Sequence, residues 1–417
     1  MNDQNSVDPA VLRGLTQRRY DRRDLLKMFG VGTAGLAAAA CGVKGAKKEA
    51  PKADAVKQFW TGKTAGTKLD FANWANYMAP DHAPLKQFTK ETGISVSYAE
   101  VITEDPAWYG KIQPQLAAGQ SIGYDLMVVT NGPELTKLIA LGYLVPLDHN
   151  QLPNFKQYAD PIYTKESFDY GNVYSVPYAT GYTGIAYNTK YVKEPITSWA
   201  QLFDPKSKYK GKIGMMGDVQ EIGNVGMFVN GVNPETSTEA DWKKAAETLK
   251  AQKNAGLVRK YYDQDYVKAM ESGDIWITMA WSGDMFQENI VNGNANFKFV
   301  VPKEGGTIWT DNMMIPQHAT NPVGAIKLMN YFYRPDVAAK MCEFINYVTP
   351  VPSAKQYVQK DADAAAKKAD KAALEGVVNS SLIFPTEADY ANLKHYRPLK
   401  TDEESVYRGI FNPIVEG

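Results

Sequence analysis

Strand-like and helix-like segments alternate along most of this 417-residue chain, which predicts an α/β fold of two lobes, each a sheet covered on both faces. Two further observations agree. A chain of this length exceeds what one ordinary core organises, so two lobes are expected. Near the middle, "VYSVPYATGYTGIAYNT" (173–189) reads as two strands around a Gly-rich turn, suited to carry the chain between lobes.

In chain order, "KLDFANW" (68–74) alternates as a strand does. "PDHAPLKQFTKETG" (80–93) is an amphipathic helix, with Leu85 and Phe88 three apart and Gly93 as its stop. "ISVSYAEV" (94–101) is the next strand, "YGKIQPQLAAG" (109–119) a helix and "YDLMVVT" (124–130) a buried strand. "GPELTKLIALG" (132–142) is a helix closed by Gly142. The second unit has strands near "GKIGMM" (211–216) and "DIWITMAW" (274–281). "NPVGAIKLMNYFYRPDVAAKMCEFINY" (321–347) reads as two helices broken at Arg334-Pro335, and the Ala-rich, charged "DADAAAKKADKAALEG" (361–376) as a solvent-facing helix. There is no internal repeat.

The first fifty residues read as an address. "RRYDRRDLLKMFGVGTAGLAAAACG" has a basic start, an apolar run from Leu25 to Ala40, and then Cys41. That run is shorter than the ~20 residues a membrane span needs and is rich in Gly and Ala, as a secretory signal is. Arg22-Arg23 followed by Asp24-Leu25-Leu26 resembles a twin-arginine export signal, and Ala38-Ala39-Ala40 before Cys41 resembles a lipobox, although that pattern prefers Leu at the position of Ala38. Residues 1–40 are therefore expected to be removed and Cys41 to carry lipid. "GVKGAKKEAPKADAVK" then serves as a tether up to residue 67. Cys342, the other cysteine, reads as a buried helical thiol without a disulfide partner.

Charge excludes one class of partner. With 46 Lys+Arg against 46 Asp+Glu, the chain offers no electrostatic footprint for nucleic acid. Four histidines (His82, His149, His318, His395) without ligand spacing give no support to a metal centre, and no nucleophile-elbow, Walker or dinucleotide motif appears. No cofactor is expected.

What remains is a set of indoles and carboxylates. Trp74 and Tyr77 in "NWANYMAP" lie near the end of the first strand, where α/β folds bind ligands, and Trp281 in "AWSGDMF" ends another. In "GTIWTDNMMIP" (306–316), Trp309 and Asp311 are two residues apart and so share one face of a strand. Asp218 and Glu221 in "GDVQEIGN" read either as ligand carboxylates or as caps of the following helix. Indole faces attract ammonium groups and carboxylates pair with them, so together these residues would cage a small organic cation. Taken singly, each Trp is equally at home in a core.

From about Lys68 onward, the chain resembles the spermidine/putrescine-binding proteins of polyamine ABC importers. The stretches that carry the resemblance are "NWANYMAP", "FTKETGISV", "GYDLMVV", "ITSWAQLFDPKSKYKGKIG", "GDVQE", "MAWSGD", "FVVPKEGGTIWTDNMMIP" and "YRPDVAAKMCEFINYVTP". The resemblance implies a type II periplasmic-binding fold, with one lobe from 68–181 and 310–357 and the other from 182–309 and 358–417. It implies a monomeric receptor that closes on a polyamine and delivers it to an ABC permease. Position by position it implies ligand contacts from Trp74, Tyr77, Asp218, Glu221, Trp281, Trp309 and Asp311. Asn76 stands where the family often has an acid, Thr130-Asn131-Gly132 replace a Ser-Thr-Tyr type patch, and Arg397 falls where a Gln is usual. These departures make Asn76, Thr130 and Arg397 further candidates and favour a shorter diamine over spermidine. Within the same fold, an amino-carboxylate or Fe(III) ligand is the alternative, and outside it a hydrolase using Asp218 and Glu221 as acid and base.

Overall fold

The computed structural model describes residues 53–416 except 264, 292, 294 and 295. Arg22, Arg23 and Cys41 lie outside the described residues. The strands are β1 (Lys68–Trp74), β2 (Ser95–Ile102), β3 (Leu126–Thr130), β4 (Ser175–Asn188), β5 (Ile213–Met216), β6 (Val258–Tyr262), β7 (Ile277–Trp281), β8 (Phe297–Val300), β9 (Gly306–Met314) and β10 (Leu393–Lys394). They hydrogen-bond in the order β2-β1-β3-β9-β4-β7-β5-β6, with β8 added to β4 and β10 to β9. The β1–β2, β1–β3, β5–β6 and β5–β7 pairs are parallel, as expected where helices connect the strands. β9 runs antiparallel to both β3 and β4.

Two long strands join the lobes. β4 was expected as two strands around a turn but is one strand of 14 residues, with a register shift between Pro177 and Ala179. Its glycines serve close approach instead of turning. A Cβ on Gly181 would lie 2.3 Å from the Trp309 ring, and one on Gly184 would lie 2.4 Å from the Val300 carbonyl oxygen. Bulk excluded at these two points lets β9 and β8 pack against β4.

The first lobe has a core on each face of its sheet. Leu69, Phe71, Leu126, Val128 and Met313 point to one side, where the helices Pro322–Phe332 and Pro335–Ile345 cover them. Ala72, Met127, Val129 and Met314 point to the other, against Trp108, Ile112 and Leu116 of helix Asp105–Ala117. This is the period-two alternation of strands buried on both faces. The second lobe gathers Ile213, Met215, Ile277 and Met279 with helices Val219–Val229 and Glu239–Asn254. Tyr182, Ile308, Val348 and Leu393 form a small core where the lobes join.

Gly93 and Gly142 follow their helices at φ 74 and 72, and the pair broken at Arg334-Pro335 ends at Phe332 and restarts at Pro335. Cys342 is a buried thiol on the second of these helices. Three further expectations change. Residues 53–60, expected in the tether, form helix Ala53–Trp60, whose Trp60 enters the first-lobe core and donates to Pro146 O at 2.8 Å. The charged segment 361–376 is split between helices Lys355–Ala364 and Lys368–Asn379, and it is not wholly solvent-facing. Residues 358–383, assigned from sequence to the second lobe, send Val358, Val377, Val378 and Ile383 into the first-lobe core. Leu399 and the C-terminal helix Thr401–Glu416, through Tyr407, Phe411 and Ile414, join the second. Apolar positions at helical spacing do not say which of two cores they face.

The first lobe is pinned by side chains that replace backbone pairing. Asn321 caps helix Pro322–Phe332 by accepting from Gly324 N, and it also exchanges hydrogen bonds with Gly66 and donates to Lys68 O at 2.6 Å. Buried Asp125 accepts from Asp70 N, Thr320 Oγ1 and Asn321 N. Asn321→Ala removes the cap and strands buried backbone groups, so denaturant melts should show a loss of about 2–4 kcal/mol. A loss under about half a kcal/mol would show that this clip does not pin the lobe.

Candidate functional site

β9 is buried along its whole length, and it places Trp309 and Asp311 on one face, as their spacing requires. Trp309 sits opposite Gly181 and Asp311 opposite Thr130 in the ladders. Tyr347, just past the left-handed cap Asn346 (φ 60), lies edge-on to Trp309 at 5.1 Å, and burial first, then Asp284 and Asp311, raise its phenol.

Asp311 is 2 % exposed and is held by neutral donors, Tyr77 Oη at 2.5 Å and Thr130 Oγ1 at 2.7 Å. Loss of solvation pushes its carboxyl up to about 6, and the two hydroxyls only partly offset this. Tyr77 stacks on Tyr178 at 6.0 Å with an interplanar angle of 8°, and Trp74 lies 6.5 Å from Tyr77. The indole N–H of Trp74 is buried without a hydrogen-bond partner. Half-buried Asp105 adds a second carboxyl beside Thr130, accepting from its backbone N–H at 3.4 Å. Loss of solvation, with Glu134 and Asp311 nearby, raises it well above the usual range.

The second lobe presents Glu221, 2 % exposed. Its Oε1 accepts from Thr183 Oγ1 at 2.5 Å and from Trp281 Nε1 at 3.3 Å, while Oε2 is buried without a hydrogen-bond partner. Desolvation first, then Asp218, push its carboxyl up to about 7, with Thr183, Tyr396 and Trp281 lowering it. Trp309 Nε1 reaches the same Thr183 hydroxyl at 3.3 Å, which links the crossing strand to the second-lobe acid. Asp218 is accessible and caps helix Val219–Val229, accepting from Gln220 N and Glu221 N. The capping reading therefore holds for Asp218, whereas Glu221 turns toward Thr183 and Trp281. Asp284, three residues past Trp281, accepts from Tyr266 Oη at 2.7 Å and also acts on Tyr347.

Among the described residues no lysine or arginine pairs with Asp311 or Glu221. Thr130 belongs to the site by its bond to Asp311. Asn76 occupies an exposed turn position with φ 61. Arg397 is engaged elsewhere: it donates to Glu403 at 2.8 Å and lies over the Trp242 ring, while its neighbour Tyr396 is the residue beside Glu221. Sequence reading missed Asp105, Thr183, Asp284, Tyr347 and Tyr396. Asp284 alone had a local signal, its place in "AWSGD" beside Trp281.

Aromatic rings and buried carboxylates from both lobes and the crossing strand thus converge on one region of the fold. The family model of bacterial extracellular solute-binding proteins matches residues 83–372. A spermidine/putrescine-binding periplasmic protein of Haemophilus influenzae is 34 % identical, covering 80 % of this chain and 88 % of its own length. A putrescine-binding periplasmic protein of Pseudomonas aeruginosa is 31 % identical, covering 67 % and 77 %. The solved spermidine/putrescine ABC transporter substrate-binding protein of Streptococcus pneumoniae superposes with a TM-score of 0.68 at 25 % identity, covering 84 % of this chain and 98 % of that one. The chain belongs to the bacterial extracellular solute-binding proteins, in the family of the spermidine/putrescine-binding proteins of ABC importers.

Asp311 and Glu221 each add a pH dependence to stability. Both titrate above their unfolded values, so the folded state takes up protons first. Their charged forms burden the fold above pH ~7, and the burden fades as the pH falls toward ~4. Asp311→Asn removes one such charge. With no solute added, its melting temperature should equal or exceed that of the native chain at pH 7.5, and the gap should narrow below pH ~6 and close as the pH falls toward ~4. A clearly lower melting temperature at pH 7.5 would show that Asp311 stabilises the fold instead.

Proposed function

We propose that the cleft captures a short polyamine, a putrescine-like diamine, and that closure of the two lobes presents it to an ABC permease for import. One observation carries this: Asp311 and Glu221 are buried carboxylates, one from the crossing strand and one from the second lobe, each held by neutral donors with no cation of the protein beside it. An ammonium at each end of the solute would supply the missing charges. Trp309, Trp281, Trp74 and Tyr77 would cover the methylene chain between. Asp218 and Asp105 would add long-range attraction, and Thr130 would hold Asp311 in place. An amino-carboxylate would need a cation for its acid, and Arg397 is engaged by Glu403. A ferric ligand would need phenolates, whereas burial pushes the Tyr77 phenol well up. The relatives named for spermidine and putrescine support the class of solute.

Calorimetry of the native chain should give a saturable signal with putrescine, and no amine, ester or glycan should be turned over. Asp311→Asn and Glu221→Gln should each cost on the order of 2–5 kcal/mol of binding, because an amine would be left without its counter-charge. Trp309→Ala should cost roughly 1–3 kcal/mol, with circular dichroism verifying the fold. Unchanged affinity for every amine in Asp311→Asn would reduce the Trp309–Asp311 pair to packing.

The proposal extends to the N-terminus, where Arg22-Arg23 would direct export in the folded state and Cys41, once lipidated, would anchor the monomeric receptor to the membrane surface. Mass spectrometry of the exported protein should find an acylated Cys41 as the first residue. An unmodified Cys41 or a retained segment 20–41 would exclude the anchor.

A further inference from the structure

Four charged side chains close a ring between the lobes. Glu134 and Lys137 come from first-lobe helix Pro133–Ala140, whose Leu135 and Leu138 lie in the first-lobe core. Glu404 and Arg408 come from the C-terminal helix, which the second-lobe core holds. Spacings of three and four residues put each pair on one helix face. Lys137 Nζ lies 2.7 Å from Glu404 and 3.8 Å from Glu134, and Arg408 lies 2.8 Å from Glu404 and 3.1 Å from Glu134. Both glutamate side chains are 7 % exposed.

The ring differs from the cleft beside it. Its charges cancel from within the chain, two acids against two cations, and no solute atom is needed. Removing one cation would leave two nearly buried carboxylates sharing the other, a costly arrangement that opening to water relieves. Arg408 also acts on Asp218, so the ring borders the site without belonging to it.

We infer that Glu134, Lys137, Glu404 and Arg408 form a latch that favours lobe closure without any solute, and so raises affinity without touching the ligand. Apparent affinity scales with the fraction of receptor in the binding-competent state, so a latch acts on the affinity for any solute. Only this effect on affinity rests on the solute-capture reading. The effect on lobe separation does not.

The test is small-angle scattering of the full chain with no solute added, for the native protein, Arg408→Glu and the double variant Glu134→Arg/Arg408→Glu. The single change sets three acids against Lys137 and should enlarge the radius of gyration. The double change restores a cation on one lobe facing an acid on the other and should return it. Putrescine affinity should fall about tenfold in the single variant and recover in the double. Added negative charge alone would strengthen binding of an amine, so weakening identifies the latch. Identical scattering from all three proteins, or equal expansion of the single and double variants, would overturn the inference. If the native chain binds no amine while scattering changes as expected, the latch stands and the polyamine reading falls.

Discussion

Burial of carboxylates without a matching cation is the constraint around which this molecule is arranged. Water is a far better solvent for a carboxylate than protein is, and neutral hydroxyl and indole donors recover only part of the difference. Asp311 has Tyr77 and Thr130, Glu221 has Thr183 and Trp281, and both carboxyls still titrate well above their usual range. The fold must hold these groups in place against that penalty. In the proposed function an incoming cation would remove it, turning a local burden on stability into selectivity for charge.

The crossing strands do the holding. β9 is hydrogen-bonded to β3 and β4 at once at Asp311, so that residue cannot shift without breaking a ladder on each side, while Trp309 is held by its ladder with β4. The same strand pair links the lobes, and one hydroxyl, Thr183 on β4, connects Trp309 to Glu221. Site and hinge are therefore one structure. A change in lobe angle would reposition the second-lobe acid relative to Asp311, and in the proposed function a solute bridging them would select the angle.

The chain deploys its cations accordingly. Arg397 is paired with Glu403, and Lys137 and Arg408 are paired with Glu134 and Glu404. Glu134, Glu403 and Glu404 are neutralised from within, while no lysine or arginine among the described residues pairs with Asp311 or Glu221, which the proposed function leaves for the solute. Zero net charge over 417 residues conceals this division completely. Balance is global and imbalance local, at the place where it can be used.

Local rules were enough for much of this. Period-two burial, glycine stops after helices, the break at Arg334-Pro335 and the shared face of Trp309 and Asp311 are all properties of residues close in sequence, where backbone geometry alone decides which way a side chain points. Helix capping, a local matter too, accounts for Asp218. Tertiary structure alone decided that β4 runs straight through its glycines, because only the Trp309 ring and the Val300 carbonyl explain why no side chain fits there. It alone brought Asp105, Tyr347 and Tyr396 to the site, from a helix start, a helix end and a loop that nothing nearby in sequence marks. The assignment of 358–383 to the first lobe is of the same kind. A helix's apolar stripe records that it has a partner, and only the assembled fold says which.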